Sequence, residues 1–275
     1  IDRYAQVVLS DRSSLGAQSL AWYRYNRRVW HDAARWFKHA RTWSPDGKGD
    51  AKMAEGLAFA LRNMDLYDES EAVSWEWRET APAVRKLYIE TVAEFIVRLK
   101  PRETYPVDRM SRYQLVLAAD KSSIGAQAAG WYYFARDRWA DSVPWFRNAL
   151  AWGPDHFRDP KTAEGLAIAL MNSGQADEAE NFAYAWRERS DRLAQMYYEF
   201  AADAMGRLDP SRSYAADRMA RLVALTRGTR NVFAAQSIGW YFIARKQWTE
   251  AAELFKASLD RTGDEKDIKT IEGYA

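Results

Sequence analysis

The sequence predicts an all-α protein, a solenoid of antiparallel helix pairs, and three observations carry that expectation. Gln18, Gln127 and Gln236 stand 109 residues apart, each inside a closely similar passage. Apolar residues recur at steps of three and four, and no alternating strand pattern appears. Proline, glycine and capping carboxylates fall between these stretches, where helices end. Self-similarity at a fixed spacing marks stacked units that bury their apolar faces only against neighbours.

The passage from Gly16 through Gln18 to Trp22-Tyr23, with Trp36-Phe37 and Pro45, is the first copy. It returns as Gly125 through Gln127 to Trp131-Tyr132, with Trp145-Phe146 and Pro154, and again as Ala234 through Gln236 to Trp240-Tyr241, with Phe255. Residues Ile1 to Leu9 match Ser111 to Ala118, so residues 1–10 read as the end of a preceding unit. Units then run 11–119, 120–228 and 229–275, the last cut short where Ile271 to Ala275 echoes Ala54 to Ala58 and Ala163 to Ala167. The whole of 1–275 is expected to be one solenoid fragment whose capping repeats lie elsewhere.

Within the first unit, helices are expected at 14–28 and 30–43, 51–64 and 67–79, and 82–99 and 105–119, three pairs in all. Adding the 109-residue step gives the next three. Leu20, Tyr23, Arg27 and Trp30, then Ala33, Phe37 and Ala40, form the apolar stripe. Asp50 is a candidate N-cap, and Asp159-Pro160 joins a capping carboxylate to proline at the first helical position. Pro144, in the second copy, falls inside the helix that Ala34 to Thr42 predict, where a missing donor and a steric clash predict a kink.

Composition narrows the function. Lys and Arg number 40 against 38 Asp and Glu, a net charge of +2 with no polybasic run, which argues against nucleic acid as a partner. With no cysteine there is no disulfide, thiol nucleophile or thiolate metal site. That composition suits an oxidising compartment such as the periplasm. No apolar run approaches the ~18 residues of a membrane span, so no direct membrane insertion is expected of this stretch. No charged-then-apolar leader opens it, so any export signal is expected outside it.

Gly130, Tyr133, Trp139, Phe146, Ala149 and Pro154 run small, aromatic, aromatic, aromatic, small, proline. Trp30, Ala33, Phe37, Ala40 and Pro45 match them in the first unit, and Gly239, Phe242, Trp248, Ala251 and Phe255 in the third. This spacing resembles the tetratricopeptide repeat, whose 34 residues are close to the roughly 36 of each pair here. In the second pair Leu166-Ala167, Gly174 and Ala179 fit, but Trp77 and Trp186 stand where a small residue is usual. The third pair, Val84 to Leu99 and Leu193 to Leu208, matches only as paired helices. The resemblance spans nearly the whole chain and implies a right-handed α-α superhelix whose concave groove is lined by the first helix of each pair. The strings Gly130-Trp131-Tyr132-Tyr133 and Gly239-Trp240-Tyr241-Phe242 also resemble tetratricopeptide regions of bacterial cellulose and exopolysaccharide synthesis and export subunits.

Phase then selects groove residues. With Phe37 and Phe146 turned between helices, Gln18 and Trp22, Gln127 and Trp131, and Gln236 and Trp240 fall on the inner face of the first helix. An indole offers a flat apolar face to a sugar ring or a peptide side chain, and an amide offers donors and acceptors. The plainer reading is that these residues only pack successive pairs together. In the second pair Lys52, Glu55 and Asn63 recur as Lys161, Glu164 and Asn172, either a polar binding ladder or an internal ion pair on a solvated face.

No catalytic residue, metal site or cofactor is expected. Glu55, Glu164 and Glu272 repeat by translation, whereas a glycosidase needs two facing carboxylates in unlike environments. His31, His39 and His156 align with Ala140, Asn148 and Gly47, so none is repeated. There is no glycine-rich phosphate loop.

The expected function is a non-enzymatic scaffold holding a protein partner, and by resemblance a polysaccharide, in its concave groove within a periplasmic exopolysaccharide or cellulose machine. The alternative is a cytoplasmic peptide-binding adaptor. A grip on a terminal carboxylate would need Lys, Asn and Arg where Gln18, Trp22, Gln127 and Trp131 stand. A helical-toroid glycosidase is the third reading, and the translational repetition argues against it. Apolar end faces predict end-to-end self-association.

Overall fold

A computed structural model of the protein describes residues 1–154, 159–209, 211–229, 231–262 and 272–273. Among the described residues there are fifteen α-helices and no strand. The chain divides into two compact units, Ile1–Phe157 and Arg158–Ala275. In the first, α1 (Asp2–Asp11) precedes four pairs: α2 (Ser14–Asn26) with α3 (Trp30–Thr42), α4 (Ala51–Arg62) with α5 (Tyr67–Trp77), α6 (Pro82–Arg98) with α7 (Val107–Asp120), and α8 (Ser123–Phe134) with α9 (Trp139–Trp152). In the second, α10 (Pro160–Asn172) pairs with α11 (Ala176–Trp186), α12 (Asp191–Arg207) with α13 (Ala216–Thr229), and α14 (Val232–Ile243) with α15 (Trp248–Thr262). The six helices expected of residues 14–119 end within two residues of α2 to α7.

Local chemistry sets the helix ends. Ser13, Ser122 and Asn231, one repeat apart, each cap a first helix by accepting from the amide three residues on, at 3.1, 3.3 and 2.9 Å. Asp50 accepts from Met53 N at 2.8 Å, and Asp159 from Thr162 N at 3.2 Å with Pro160 beside it, as the sequence predicts. The turn between the helices of the leading pair passes through a left-handed residue in every copy: Arg28 (φ 59°), Asp137 (φ 55°) and Lys246 (φ 57°). At the next turn Asp65 (φ 58°) becomes Gly174 (φ 83°), the residue for which that conformation costs least. The helix carrying Pro144 does not stop there, and α9 continues to Trp152.

Packing follows the apolar stripe. Phe37, Phe146 and Phe255 are fully buried. A Cβ added at Gly56 would lie 2.2 Å from Phe37 Cζ, and one at Gly130 or Gly239 would lie 2.6 Å from the ring of Phe146 or Phe255. Glycine thus sets how closely the helix backbone approaches each phenylalanine. Within the first unit the first helices α2, α4, α6 and α8 lie side by side, as do α10, α12 and α14 within the second. These rows place the residues of the candidate site. No described helix is long and apolar enough to cross a membrane.

Candidate functional site

The three tryptophans of the repeated passage share one environment. The ring of Trp22 meets Phe37 at 5.0 Å and 84°, Trp131 meets Phe146 at 4.9 Å and 75°, and Trp240 meets Phe255 at 5.4 Å and 73°. Each is an edge-to-face contact, the geometry that the ring quadrupole favours. Trp22 and Trp131 are half-buried, and Trp240 is 39% exposed. The indoles therefore pack against the core and also present surface. Two turns earlier stand Leu15, Ile124 and Phe233, again 109 residues apart, at 74%, 63% and 50% exposure. The sequence reading passed over these three, although their recurrence as large apolar residues was visible.

Of the other sequence-selected residues, Gln18 donates to Asp50 Oδ2 at 3.5 Å, and Gln127 and Gln236 are half-buried beside their tryptophans. Lys52 and Lys161 each pair with the glutamate three residues on, Glu55 and Glu164, both at 3.3 Å. Asn63 and Asn172 donate to the carbonyls of Phe59 and Ile168 one turn back, at 2.8 and 3.0 Å. The ladder is thus made of i,i+3 pairs and side-chain bonds to their own helix, with one link beyond it, from Ser190 Oγ, the cap of α12, to Glu164 Oε1 at 2.9 Å.

In the first unit the row of first helices holds an open depression of about 600 Å³. Of the sequence-selected residues it collects Gln127 and Trp131 from α8. It adds Ile124 and Ala128 from the same helix, Glu90 to Arg98 from one face of α6, and Arg62 from the end of α4. Lys52 and Glu55 lie outside it. Arg62 donates from Nε to Glu94 Oε2 and from Nη1 to Glu90 Oε2, both at 2.8 Å. Arg98 donates to Glu94 Oε1 at 2.6 Å and to Asp65 Oδ1 at 2.7 Å. Tyr67 Oη donates to Glu94 Oε1 at 2.9 Å. Burial alone would raise the Glu94 pKa, but the hydrogen bonds from Arg62 and Tyr67 and the two guanidinium charges hold it below the ordinary carboxylate value. The charged rim is thus a closed network bridging three helices.

The copy of these positions in the second unit is built differently. Met171 stands for Arg62 and Gly206 for Val97. Glu199 accepts from Arg192 at 3.0 Å and Gln195 at 2.9 Å, while Asp203 accepts from Arg207 at 2.9 Å. The exposed Phe233 and Trp240 are retained, but the bridge from the preceding first helix is lost.

Among the described residues, no three of His, Cys, Asp and Glu converge in a way that could hold a metal ion. His39 stacks on Trp43 at 4.7 Å, and burial followed by the charge of Arg35 lowers its pKa. His156 lies outside the described residues.

No protein-family model matches this sequence, and no curated protein matches it. Among solved structures, the chain is similar to a tetratricopeptide repeat protein from Parabacteroides merdae, at 14% identity over 100% of this chain and 98% of that one, with a TM-score of 0.42. It is also similar to the tetratricopeptide domain of P58(IPK), at 9% identity over 99% of this chain and 90% of that one, with a TM-score of 0.32.

Proposed function

We propose that this chain is a non-enzymatic helical-repeat scaffold that holds a protein partner against its first helices. One observation carries the reading: a recurring stripe, the exposed Ile124 with the half-buried Gln127 and Trp131 in the second copy, lies where α6 and α8 leave an open depression on the first-helix row. An exposed apolar patch rimmed by polar groups is the usual mark of a docking surface. The test removes the indole without touching the buried phenylalanines. Trp131→Ala and Trp240→Ala should each abolish retention of a partner that binds the unaltered chain, with the helical circular dichroism unchanged. Unfolding by both variants would assign these tryptophans to packing alone.

The setting we propose is a periplasmic exopolysaccharide or cellulose machine. Its supports are the half-exposed tryptophans, whose flat faces suit sugar rings, and the lack of cysteine. Titration with cello-oligosaccharides, read at the Trp131 and Trp240 indole resonances, tests for direct glycan contact. Silence at both would leave the scaffold a protein-binding one, the cytoplasmic adaptor included. Self-association through the end faces is a further part of the proposal, tested by sedimentation at increasing protein concentration.

A further inference from the structure

The depression between α6 and α8 has two parts of different chemistry. Its floor contains the buried Ala93 and Ala128, and its rim carries Val97 and Ile124 at 58% and 63% exposure beside the indole of Trp131. Small residues below and bulky apolar residues around them make a socket for an apolar side chain. Along one edge run two arginines and two glutamates, Arg62, Glu90, Glu94 and Arg98.

These four charges are spent on one another. Arg62 bridges Glu90 and Glu94, and Arg98 holds Glu94 and Asp65, every bond at 2.6 to 2.8 Å. Just outside the lining, Asp65 and Lys86, which lies 3.9 Å from Glu90, add one charge of each sign. A carboxylate entering the depression would compete with Glu90 and Glu94 for the guanidiniums. An ammonium would compete with Arg62 and Arg98 for the carboxylates. Either exchange replaces one charge-assisted bond by another, and where the displaced group is Arg62, Glu90 or Glu94 it leaves that group in a half-buried site. A neutral side chain disturbs nothing and gains the apolar contact.

We propose that this depression is a socket for a neutral, bulky apolar side chain of a partner polypeptide, and that its self-neutralised rim gives no advantage to an acidic residue, a chain-terminal carboxylate or a basic residue. The inference rests on reading the first-helix row as the partner surface and adds the chemistry of the anchor. In the second unit the rim is rebuilt around Met171, so the two copies are not equivalent as sockets.

Three probes of one shape and different charge test it: N-acetyl-phenylalaninamide (neutral), N-acetyl-phenylalanine (anionic) and phenylalaninamide (cationic). Each is titrated to millimolar concentration into the whole chain, labelled for observation of the Trp131 indole and Ile124 methyl resonances, and cellobiose is added as a fourth ligand. The neutral probe is expected to shift both resonances, with neither charged probe binding more tightly. Arg62→Met, the residue of the other copy, leaves Glu90 and Glu94 without their shared cation, and phenylalaninamide should then lead by about threefold. A charged probe that wins on the unaltered chain overturns the socket chemistry and leaves the docking surface intact. Cellobiose acting where the neutral probe is silent overturns the polypeptide anchor in favour of a glycan. Silence from all four removes the docking reading as well.

Discussion

The phenol of Tyr105 donates a 2.6 Å hydrogen bond to Oε2 of Glu71, a carboxylate thirty-four positions earlier in the chain that is only 6% exposed. Arg109 closes on the same carboxylate through Nε at 3.0 Å and through Nη2, and reaches Asp68 through Nη1 at 2.7 Å. One repeat later the set returns: Tyr214 donates to Glu180 at 2.5 Å, and Arg218 binds Glu180 and Asp177. The backbone N–H groups of Tyr105 and Tyr214 in turn donate to the hydroxyl oxygens of Tyr132 and Tyr241, at 3.0 and 2.8 Å. In the first unit the clamp ties α5 to α7 and α8, so the loosely patterned third pair is held by charge as well as by apolar contact.

Removing one partner of a buried, hydrogen-bonded ion pair strands the other. Glu71→Gln should therefore cost about 2–4 kcal/mol, somewhat less than the loss of a fully buried pair, because Arg109 keeps Asp68 and some contact with water. Asp68, 71% exposed at its side chain, should cost about 0.5 kcal/mol or less when changed to Ala. Urea unfolding followed by circular dichroism separates the two. Equal losses would mean that the clamp acts as a surface ion pair.

Glycine to alanine changes should differ in sign according to what the new methyl meets. Helix propensity alone favours alanine by about 0.5–1 kcal/mol. At Gly206, with nothing within 4 Å of the added Cβ, that gain should appear as added stability. At Gly56 the Cβ would sit 2.2 Å from Phe37 Cζ, and overpacking of about 1–3 kcal/mol outweighs the propensity. Gly56→Ala should destabilise, and Phe37→Leu in the same chain should recover part of the loss. Thermal melting of the three variants decides it.

These contrasts show what was legible in the sequence. Helix positions, caps and the burial of Phe37, Phe146 and Phe255 could be read because each depends on a few neighbouring residues repeated 109 positions on. The depression could be read only in part. Gln127 and Trp131 carry the repeated signature, but Glu90, Glu94 and Val97 belong to a helix without family pattern, and Arg62 has no counterpart at Met171. Their convergence is a property of how α4, α6 and α8 stack. The clamp had a signal that went unused: Glu71, Tyr105 and Arg109 all recur as Glu180, Tyr214 and Arg218. Lys52 and Glu55 recur equally well yet form only an exposed pair, so recurrence alone does not tell binding from local satisfaction.

The packing share of the tryptophans can be measured apart from any partner. Phe146→Ala empties a fully buried site and should cost about 3–5 kcal/mol. Trp131→Ala removes a half-buried ring and should cost about 1–2 kcal/mol, mostly through the 4.9 Å edge contact with Phe146. A double-mutant cycle should return a coupling of about 1 kcal/mol. A Trp131 loss as large as that of Phe146 would make the indole a core residue and remove it from the docking surface.

Stability should fall at both ends of the pH scale, for separate reasons. At the acid end Glu94 matters: its folded pKa lies below the unfolded value, because the bonds from Arg62 and Tyr67 outweigh its burial. A depressed carboxylate contributes stability that is complete above the unfolded pKa of about 4.3 and is lost as the pH falls through the folded value. Glu94→Gln should flatten that acid slope. At the alkaline end burial comes first, and hydrogen bonding to carboxylates adds to it: Tyr67, Tyr105 and Tyr214 are all held above the ordinary phenol value, and burial pushes Tyr197 up to about 12. The sign is then opposite. A raised folded pKa contributes stability that is complete below the unfolded value of about 10 and is lost as the pH climbs beyond it, where the unfolded chain ionises first. Tyr105→Phe should weaken the protein at neutral pH, because it takes the hydroxyl from Glu71, yet make its alkaline slope shallower. Urea midpoints measured across pH 3 to 11 for the unaltered chain and the two variants test both limbs, and an unchanged alkaline slope in Tyr105→Phe would show that this phenol ionises as freely in the folded chain as in the unfolded one.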